Sequence, residues 1–425
     1  MTAATASTVQ QRHIASVFFP FASGYLMSYL FRTVNGPLGE RLIAEFHLNA
    51  GQLGLLTSVY FLAFATSQLP LGLAIDHYGP RRVQIALCLV AAAGALMFAA
   101  AGNMATLILG RTLIGVGTAA GLVAGLKALN MAVPHHRLML MNGFYITCGG
   151  LGAMAGTYPV SWAADHLGWR GTFVGLAAMT VVVAVAFAVV VPHQRTETKP
   201  EPWRQTLLAL VGICRTAVFW RLAPLSASVI GSAFAIHGLW AARWMTDVDG
   251  MAQRSVTLDL LIMGVGLAAG ATTLGAIGNW LRARGVSTAA LFAGACGVFL
   301  LIETLILLHI RVPELLLWPG FAMFGAMTVL SYSMLSDLFP QALIGRANSA
   351  LNVMHLSMAF LLQMGLGAIA SRWAPNGSGH YPIVAYRWAF ALPIGLQMAA
   401  LAWFLLAPML RAEDRGAEAR PAPGQ

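Results

Sequence analysis

Arginine, histidine and glutamate residues set inside long apolar runs are where this sequence has chemistry to offer. An ionisable group at the centre of a membrane helix costs roughly 2.5–3.5 kcal/mol, so it needs a partner or a water-filled cavity. Arg32 shares one helical face with Tyr25, Ser28 and Asn35, at spacings of three and four residues. That stripe predicts a cavity wall able to hold an anion; the structural alternative is an arginine snorkelling to the membrane surface. Arg111 is either a second cavity cation or an interface anchor, with Gly115 and Thr118 on its face. Asn348, Asn352 and His355 form another polar stripe. His355, of a type that changes charge in the physiological range, is either a proton or anion site or a hydrogen-bonded histidine of the bundle. His237 and Trp240 suit a small organic ligand as well as they suit packing. Glu303 is an acid well inside an apolar run, which makes it a third proton-carrying candidate beside His355 and His237.

Other chemistry has less support. Met323, Met327, Met354 and Met358 make two M-x-x-x-M pairs, a pattern that soft ligation of Cu(I) would use. In a chain with 20 methionines, packing is the better account. There is no nucleotide-binding glycine loop, catalytic triad or metal-ligand cluster, so neither an enzyme nor a cofactor or metal is expected. The cysteines Cys88, Cys148, Cys214 and Cys296 stand singly, which argues against disulfides and structural zinc.

The elements that position these residues are membrane helices. Hydrophobic residues make up 58% of the chain and charged ones 9%, at a mean hydropathy of +0.72, against about 25% charge in soluble domains. The excess of 25 Lys+Arg over 15 Asp+Glu is scattered through short loops, so it reads as membrane topology, and no nucleic acid is expected. Runs of about 20 apolar residues span a bilayer. They predict twelve helices over 14–35, 51–75, 83–102, 105–129, 138–163, 171–191, 222–246, 257–281, 286–309, 314–337, 345–371 and 387–408. The expected fold class is all-α integral membrane, with twelve transmembrane helices in two six-helix bundles. The boundaries are 1–192 for the first bundle, 193–220 for a linker with an interfacial helix at 203–220, 221–410 for the second bundle and 411–425 for a disordered polar tail. The first helix reads as retained, not as a signal peptide, and the arginine distribution predicts that both termini are cytoplasmic.

The two halves echo each other. Gly72, Asp76 and Gly79 match Gly278, Arg282 and Gly285 at an offset of 206 residues, and Pro134 and Asn142 match Pro340 and Asn348 at the same offset. Trp169-Arg170 followed by Phe173 matches Tyr386-Arg387 followed by Phe390 at 217. The growth in offset predicts an 11-residue insertion in the loop 375–382. Under the 206 offset, Arg32 falls opposite Gly238, beside His237 and Trp240.

The loop Gly72-Leu-Ala-Ile-Asp76-His-Tyr-Gly79-Pro-Arg81-Arg82 resembles the one after the second helix in the major facilitator superfamily of transporters, with His77 where a basic residue is usual. Arg111-Thr-Leu-Ile-Gly115-Val-Gly117 resembles that family's fourth-helix motif, with Ile114 in place of glutamine. Gly168-Trp-Arg170 before Phe173 resembles the start of its sixth helix. The first helix, from Gly24 and Tyr25 to Arg32, is similar to that of the organophosphate/phosphate antiporter branch, in which an arginine at this position helps bind phosphate. That branch's other phosphate-binding positions fall on Gln68, Gly149 and His237.

The resemblance implies a secondary transporter working by alternating access, with substrate held between the halves. Candidate substrate-binding residues are Tyr25, Arg32, Asn35, Gln68, Arg111, His237, Trp240, Asn352 and His355. It also implies that Gly72, Asp76, Gly79, Arg81, Arg82 and Arg282 gate the inner side, with Asp76 and the arginines latched near the start of the eleventh helix. Lys127 and Asp337 read as structural or gating groups. Glu303 falls in a ninth helix, usually peripheral in this family, which favours a structural or interfacial role. The expected function is uptake of a small polar or anionic metabolite across the inner membrane, coupled to protons, by a monomer in the lipid bilayer. The alternatives are export of a drug or metabolite, and a transporter-like membrane receptor.

Overall fold

The computed structural model describes residues 3–192, 203–310, 312–377 and 379–406, and these fold into helices with no strand among the described residues. The first half contains α1 (Ala3–Thr33), α2 (Asn35–Phe46), α3 (Ala50–Tyr78), α4 (Pro80–Ala99), α5 (Met104–Thr118), α6 (Gly121–Ala132), α7 (His135–Ala155) and α8 (Tyr158–Val190). The second begins with α9 (Trp203–Cys214) and α10 (Ala217–Ala235), a π-helical turn (Ile236–Trp240) and α11 (Ala241–Asp247). It continues through α12 (Gln253–Arg282), α13 (Thr288–Leu307), α14 (Glu314–Gly325), α15 (Thr328–Leu338), α16 (Gln341–Ala370) and α17 (Ile383–Leu406).

Among the described residues, eleven stretches are long and apolar enough to cross a membrane. The expected span 138–163 falls on α7 and the start of α8, and counting α7 gives a twelve-span plan. Gly168, at φ 70°, breaks α8 between the fifth and sixth expected spans. The expected interfacial helix over 203–220 is divided. Its first part is α9, and Thr216, whose hydroxyl accepts from the Phe219 amide at 3.3 Å, caps the start of α10. The polar segment 193–202 and the tail 411–425 lie outside the described residues.

The internal echo extends to the backbone. Gly79 and Gly285 both adopt positive φ, 82° and 86°, in the equivalent turns after α3 and α12, a region that favours glycine. Pro134 and Pro340 precede α7 and α16 with nearly the same angles, φ −58°, ψ 144° and φ −57°, ψ 146°. Asn142 and Asn348 each keep a buried carbonyl oxygen without a hydrogen-bond partner. The charges are exchanged between the halves. Asp76 pairs with Lys127 on α6, while Arg282 donates to Ser333, which stands at the 206 offset from Lys127, at 3.1 Å and lies 3.5 Å from Asp337.

In this conformation the expected latch is not formed. Asp76 does not reach the start of α16; it finds Lys127 within its own half. Arg81 Nε donates to the Phe187 carbonyl at 3.0 Å and its Nη2 to that of Ala188, tying the loop to the end of α8. A full charge on the neighbouring helix satisfies the carboxylate locally, so the pair fastens α3 to α6.

The halves meet mainly through α3 against α16 and α7 against α12, and through α2 against the π turn. At the α2 end this contact is close. A Cβ on Gly54 would lie 2.8 Å from the Gln363 carbonyl oxygen, and one on Gly367 would lie 2.5 Å from that of Ala50. At the opposite end α6 and α15 pack extensively only within their own halves. The bundle is therefore closed at the α2 end.

Two acids organise that closed end. Glu45 accepts from Trp169 Nε1 at 2.6 Å and from Arg170. Asp247, fully buried, accepts from Arg243 at 2.8 Å, His380 Nδ1 at 2.9 Å, the Tyr381 amide at 3.1 Å and the Tyr386 hydroxyl. Trp169 and Tyr386 are the first pair of the 217-residue echo, so each half binds an acid with the same position. The inserted loop supplies His380 and Tyr381, and the Tyr381 hydroxyl also accepts from the Ala50 amide of the other half at 3.1 Å.

Two outcomes follow for stability. Tyr386→Phe leaves Asp247 one donor short and should cost about 1.5–3 kcal/mol, read as a lower thermal midpoint; an unchanged midpoint would show that the remaining donors suffice. The Trp169 hydrogen bond, then Arg170, hold the Glu45 carboxyl below its usual range. That contribution is present above the ordinary carboxylate value and is lost as pH falls through the folded one. The difference in midpoint between wild type and Glu45→Gln should therefore be small at neutral pH and vanish in acid.

Candidate substrate cavity

The polar face of α1 meets the second half beside α10. Ser28 Oγ donates to the Thr118 carbonyl at 3.1 Å, and Tyr60 Oη donates to the Ser28 carbonyl at 3.1 Å while lying 3.0 Å from Thr118 Oγ1. These bonds lock α1 to α3 and α5 and fix the rotation that points Arg32 inward. The guanidinium carbon of Arg32 lies 4.3 Å from the Tyr29 ring centre, 4.8 Å from that of Phe234 and 5.3 Å from that of Phe64. Arg32 is 6% exposed and its Nε has no partner. Among the described residues no carboxylate pairs with it; its electrostatic neighbours are Tyr25, Tyr29 and Tyr60. Arg32 stands in the last turn of α1, and α2 follows after the single turn residue Val34, so the chain stays inside the bundle beyond it.

The facing wall comes from α15 and α16. Tyr332 lies within electrostatic reach of Tyr29 and Arg32. Its hydroxyl is 3.5 Å from Asn352 Oδ1, and its ring centre is 6.1 Å from that of His355. His355 Nε2 lies 2.8 Å from Ser226 Oγ on α10. On the first half, Tyr25 stacks on Tyr145 at 5.0 Å and meets Tyr29 edge-on at 5.2 Å. One cation, aromatic faces and neutral hydrogen-bonding groups from both halves thus converge. The arrangement can bind an anionic group on a small polar body.

The remaining candidates are placed elsewhere. Arg111 is fully buried behind α1, donating to the Phe31 carbonyl at 3.0 Å with its guanidinium 5.0 Å from the Tyr60 ring centre. It braces α5 against α1 and α3. Gln68 donates to the Ala119 carbonyl at 3.0 Å, across the junction of α5 and α6. Asn35 is buried and donates to Thr57 at 3.2 Å. Trp240 packs against Gly54 and Gly367, and His237 is buried in the π turn with Nε2 unpartnered. Asn35, His237 and Trp240 belong to the closed end. Glu303 is 1% exposed and bonded to Ser232 and Gln397.

Tyr29, Phe64, Ser226, Phe234 and Tyr332 were missing from the sequence-derived set. Tyr29 carried a signal, lying four residues after Tyr25 and three before Arg32. The aromatic residues of α3 and α10 carried none, because a ring on an apolar helix reads as packing.

Comparison with known proteins places the chain. A stretch is 24% identical over 174 residues, 41% of this chain and 40% of the other protein, to the hexuronate transporter of Escherichia coli (strain K12). Another is 26% identical over 210 residues, 47% of this chain and 37% of that protein, to the tetracenomycin C resistance and export protein of Streptomyces glaucescens. The chain therefore matches well under half the length of either relative. In fold it is similar to a bacterial homologue of the human lysosomal transporter Spinster, in an inward-facing and unoccupied conformation. The TM-score is 0.74 at 15% identity, over 97% of this chain and 99% of that one. The family model for the Major Facilitator Superfamily matches residues 21–362, most of the chain, and the protein belongs to that family.

Proposed function

We propose that the protein is a secondary active transporter that takes up a small organic anion across the inner membrane, coupled to protons. The observation that carries this reading is Arg32, a buried cation at the junction of the halves with three aromatic rings around it and, among the described residues, no acid beside it. A charge in that setting is stabilised when an anion arrives. A protein built on neutral partners alone would not keep such a cation at the meeting of its halves. The similarity to a hexuronate transporter, whose substrate is a carboxylate, supports the same charge preference. With both termini cytoplasmic, the closed α2 end is the outer one, and the cavity opens inward. Alternating access then consists of parting α3 from α16 at the outer end while the Asp76 and Arg282 loops approach each other.

A second reading, export, is favoured by the similarity to the tetracenomycin C resistance and export protein. A deletion strain separates the two: it starves for a nutrient if the protein imports and becomes sensitive to a toxic compound if it exports.

Arg32→Ala should abolish transport while expression and membrane insertion stay normal, and should remove the thermal shift given by organic anions, with glucuronate as the first probe. Transport at the wild-type rate would remove Arg32 from the site. Asp76→Asn weakens the tie to Lys127 without touching the cavity, so it should lower the transport rate more than the apparent affinity. An equal loss in both would place the loop in substrate binding.

A further inference from the structure

Glu303 lies on α13, outside the substrate cavity, and is 1% exposed. Both its partners are neutral. Ser232 Oγ, from α10, donates to one carboxyl oxygen, and Gln397 Nε2, from α17, donates to the other at 2.7 Å. Besides these helices, α14, α15 and α12 pack against α13, and among the described residues none brings a charged group into interaction with Glu303. Other titratable groups lie at a distance along the bundle. Cys296, about two turns away, faces Met327; Asp337 bonds Thr288 at the inner end of α13; His309 pairs with Asp249 beyond the outer end.

Both neighbours can serve either protonation state. A serine hydroxyl donates to a carboxylate and accepts from a carboxylic acid. The Gln397 amide presents its N–H₂ to Glu303 and also holds a buried Oε1 without a partner. Turning one hydroxyl and flipping one amide satisfies Glu303 with or without a proton. An acid kept for structure alone is better served by a fixed cation, as Asp247 is by Arg243. In hydrocarbon without a cation, the ionised form is the costly one.

The position of α10 gives this group a route to the substrate. Ser232 and Phe234 stand two residues apart and so face nearly opposite ways. Ser232 meets Glu303, while Phe234 covers the Arg32 guanidinium and stacks on Phe61 at 6.1 Å. Two residues further on, the chain enters the π turn that closes the outer end.

We propose that Glu303 is the site of the coupled proton, placed behind α10 and acting on the Arg32 cavity through that helix. This rests on the reading of the protein as a proton-coupled carrier. The step is a protonation: water at the open face delivers H⁺, an O–H bond forms on the carboxyl and the charge is lost. The neutral side chain can then stay buried while α10 packs on α13 and α17. Loss of the proton restores a charge that draws water and loosens that packing.

The test needs no substrate. Infrared spectra of the purified full-length protein in lipid nanodiscs, from mildly acidic to mildly alkaline pH, should show a carboxylic C=O band that titrates and is missing in Glu303→Gln. Ser232→Ala, which removes a donor to the ionised form, should move the midpoint upward by about one pH unit. It serves as the second variant if Glu303→Gln fails to fold. Conformational coupling is read by maleimide alkylation of Cys148, a half-buried thiol in the groove between α1 and α7. The ratio of wild-type to Glu303→Gln rates at each pH cancels the thiol's own titration and should change with the infrared midpoint. A band that does not titrate, a midpoint unmoved in Ser232→Ala or a flat alkylation ratio overturns the proposal. Arg32→Ala should keep the titrating band, so failure of the anion site leaves this result standing. Wild-type transport indifferent to a pH gradient, with the band still titrating, instead overturns proton coupling itself.

Discussion

A guanidinium held in hydrocarbon without a carboxylate is the constraint that the rest of this bundle serves. Water cannot solvate Arg32 fully at 6% exposure, and no acid among the described residues neutralises it. The stabilisation on offer is the negative faces of Tyr29, Phe64 and Phe234, and each such contact is worth about 0.5–2 kcal/mol. Two of those rings come from α1 and α3 of its own half and the third from α10 of the other, so the cation is enclosed on the far side only when the two halves are together. Ser28, Tyr60 and Thr118 then fix the rotation of α1 that aims it. The site and the packing of the halves are one problem solved once.

The same rule sorts the other buried charges. Arg111, which also lacks an acid, takes a backbone carbonyl and the Tyr60 ring and becomes a brace. Asp247 collects four donors and becomes the hub of the closed end. Glu303 takes two neutral partners, the Ser232 hydroxyl and the Gln397 amide.

Much of this plan was legible in the sequence because membrane helices announce themselves by length and apolarity. The repeat could be read from a few glycines, prolines and charges whose backbone angles then proved to match in the two halves. The Arg32 stripe was legible for a similar reason, since spacings of three and four define a helical face. Its cage was not, because Phe64 and Phe234 stand far apart in the chain on helices rich in apolar residues. The partner of Asp76 was hidden in the same way: Lys127 is 51 residues on, and only packing brings α6 to it. The division of 203–220 into two helices, and the π turn that swings Trp240 into the closed end, depend on local bonding that apolar periodicity does not register.

The tight joint between α3 and α16 has a thermal consequence. It is made by glycines that let backbones touch, so its strength lies in many small dispersion contacts, each about 0.1–0.2 kcal/mol, and little in charge. Parting it exposes apolar surface and carries a positive heat capacity. The barrier to parting the α2 end is then insensitive to ionic strength and changes with temperature along a curve, not a straight Arrhenius line. For this joint, temperature matters more than salt.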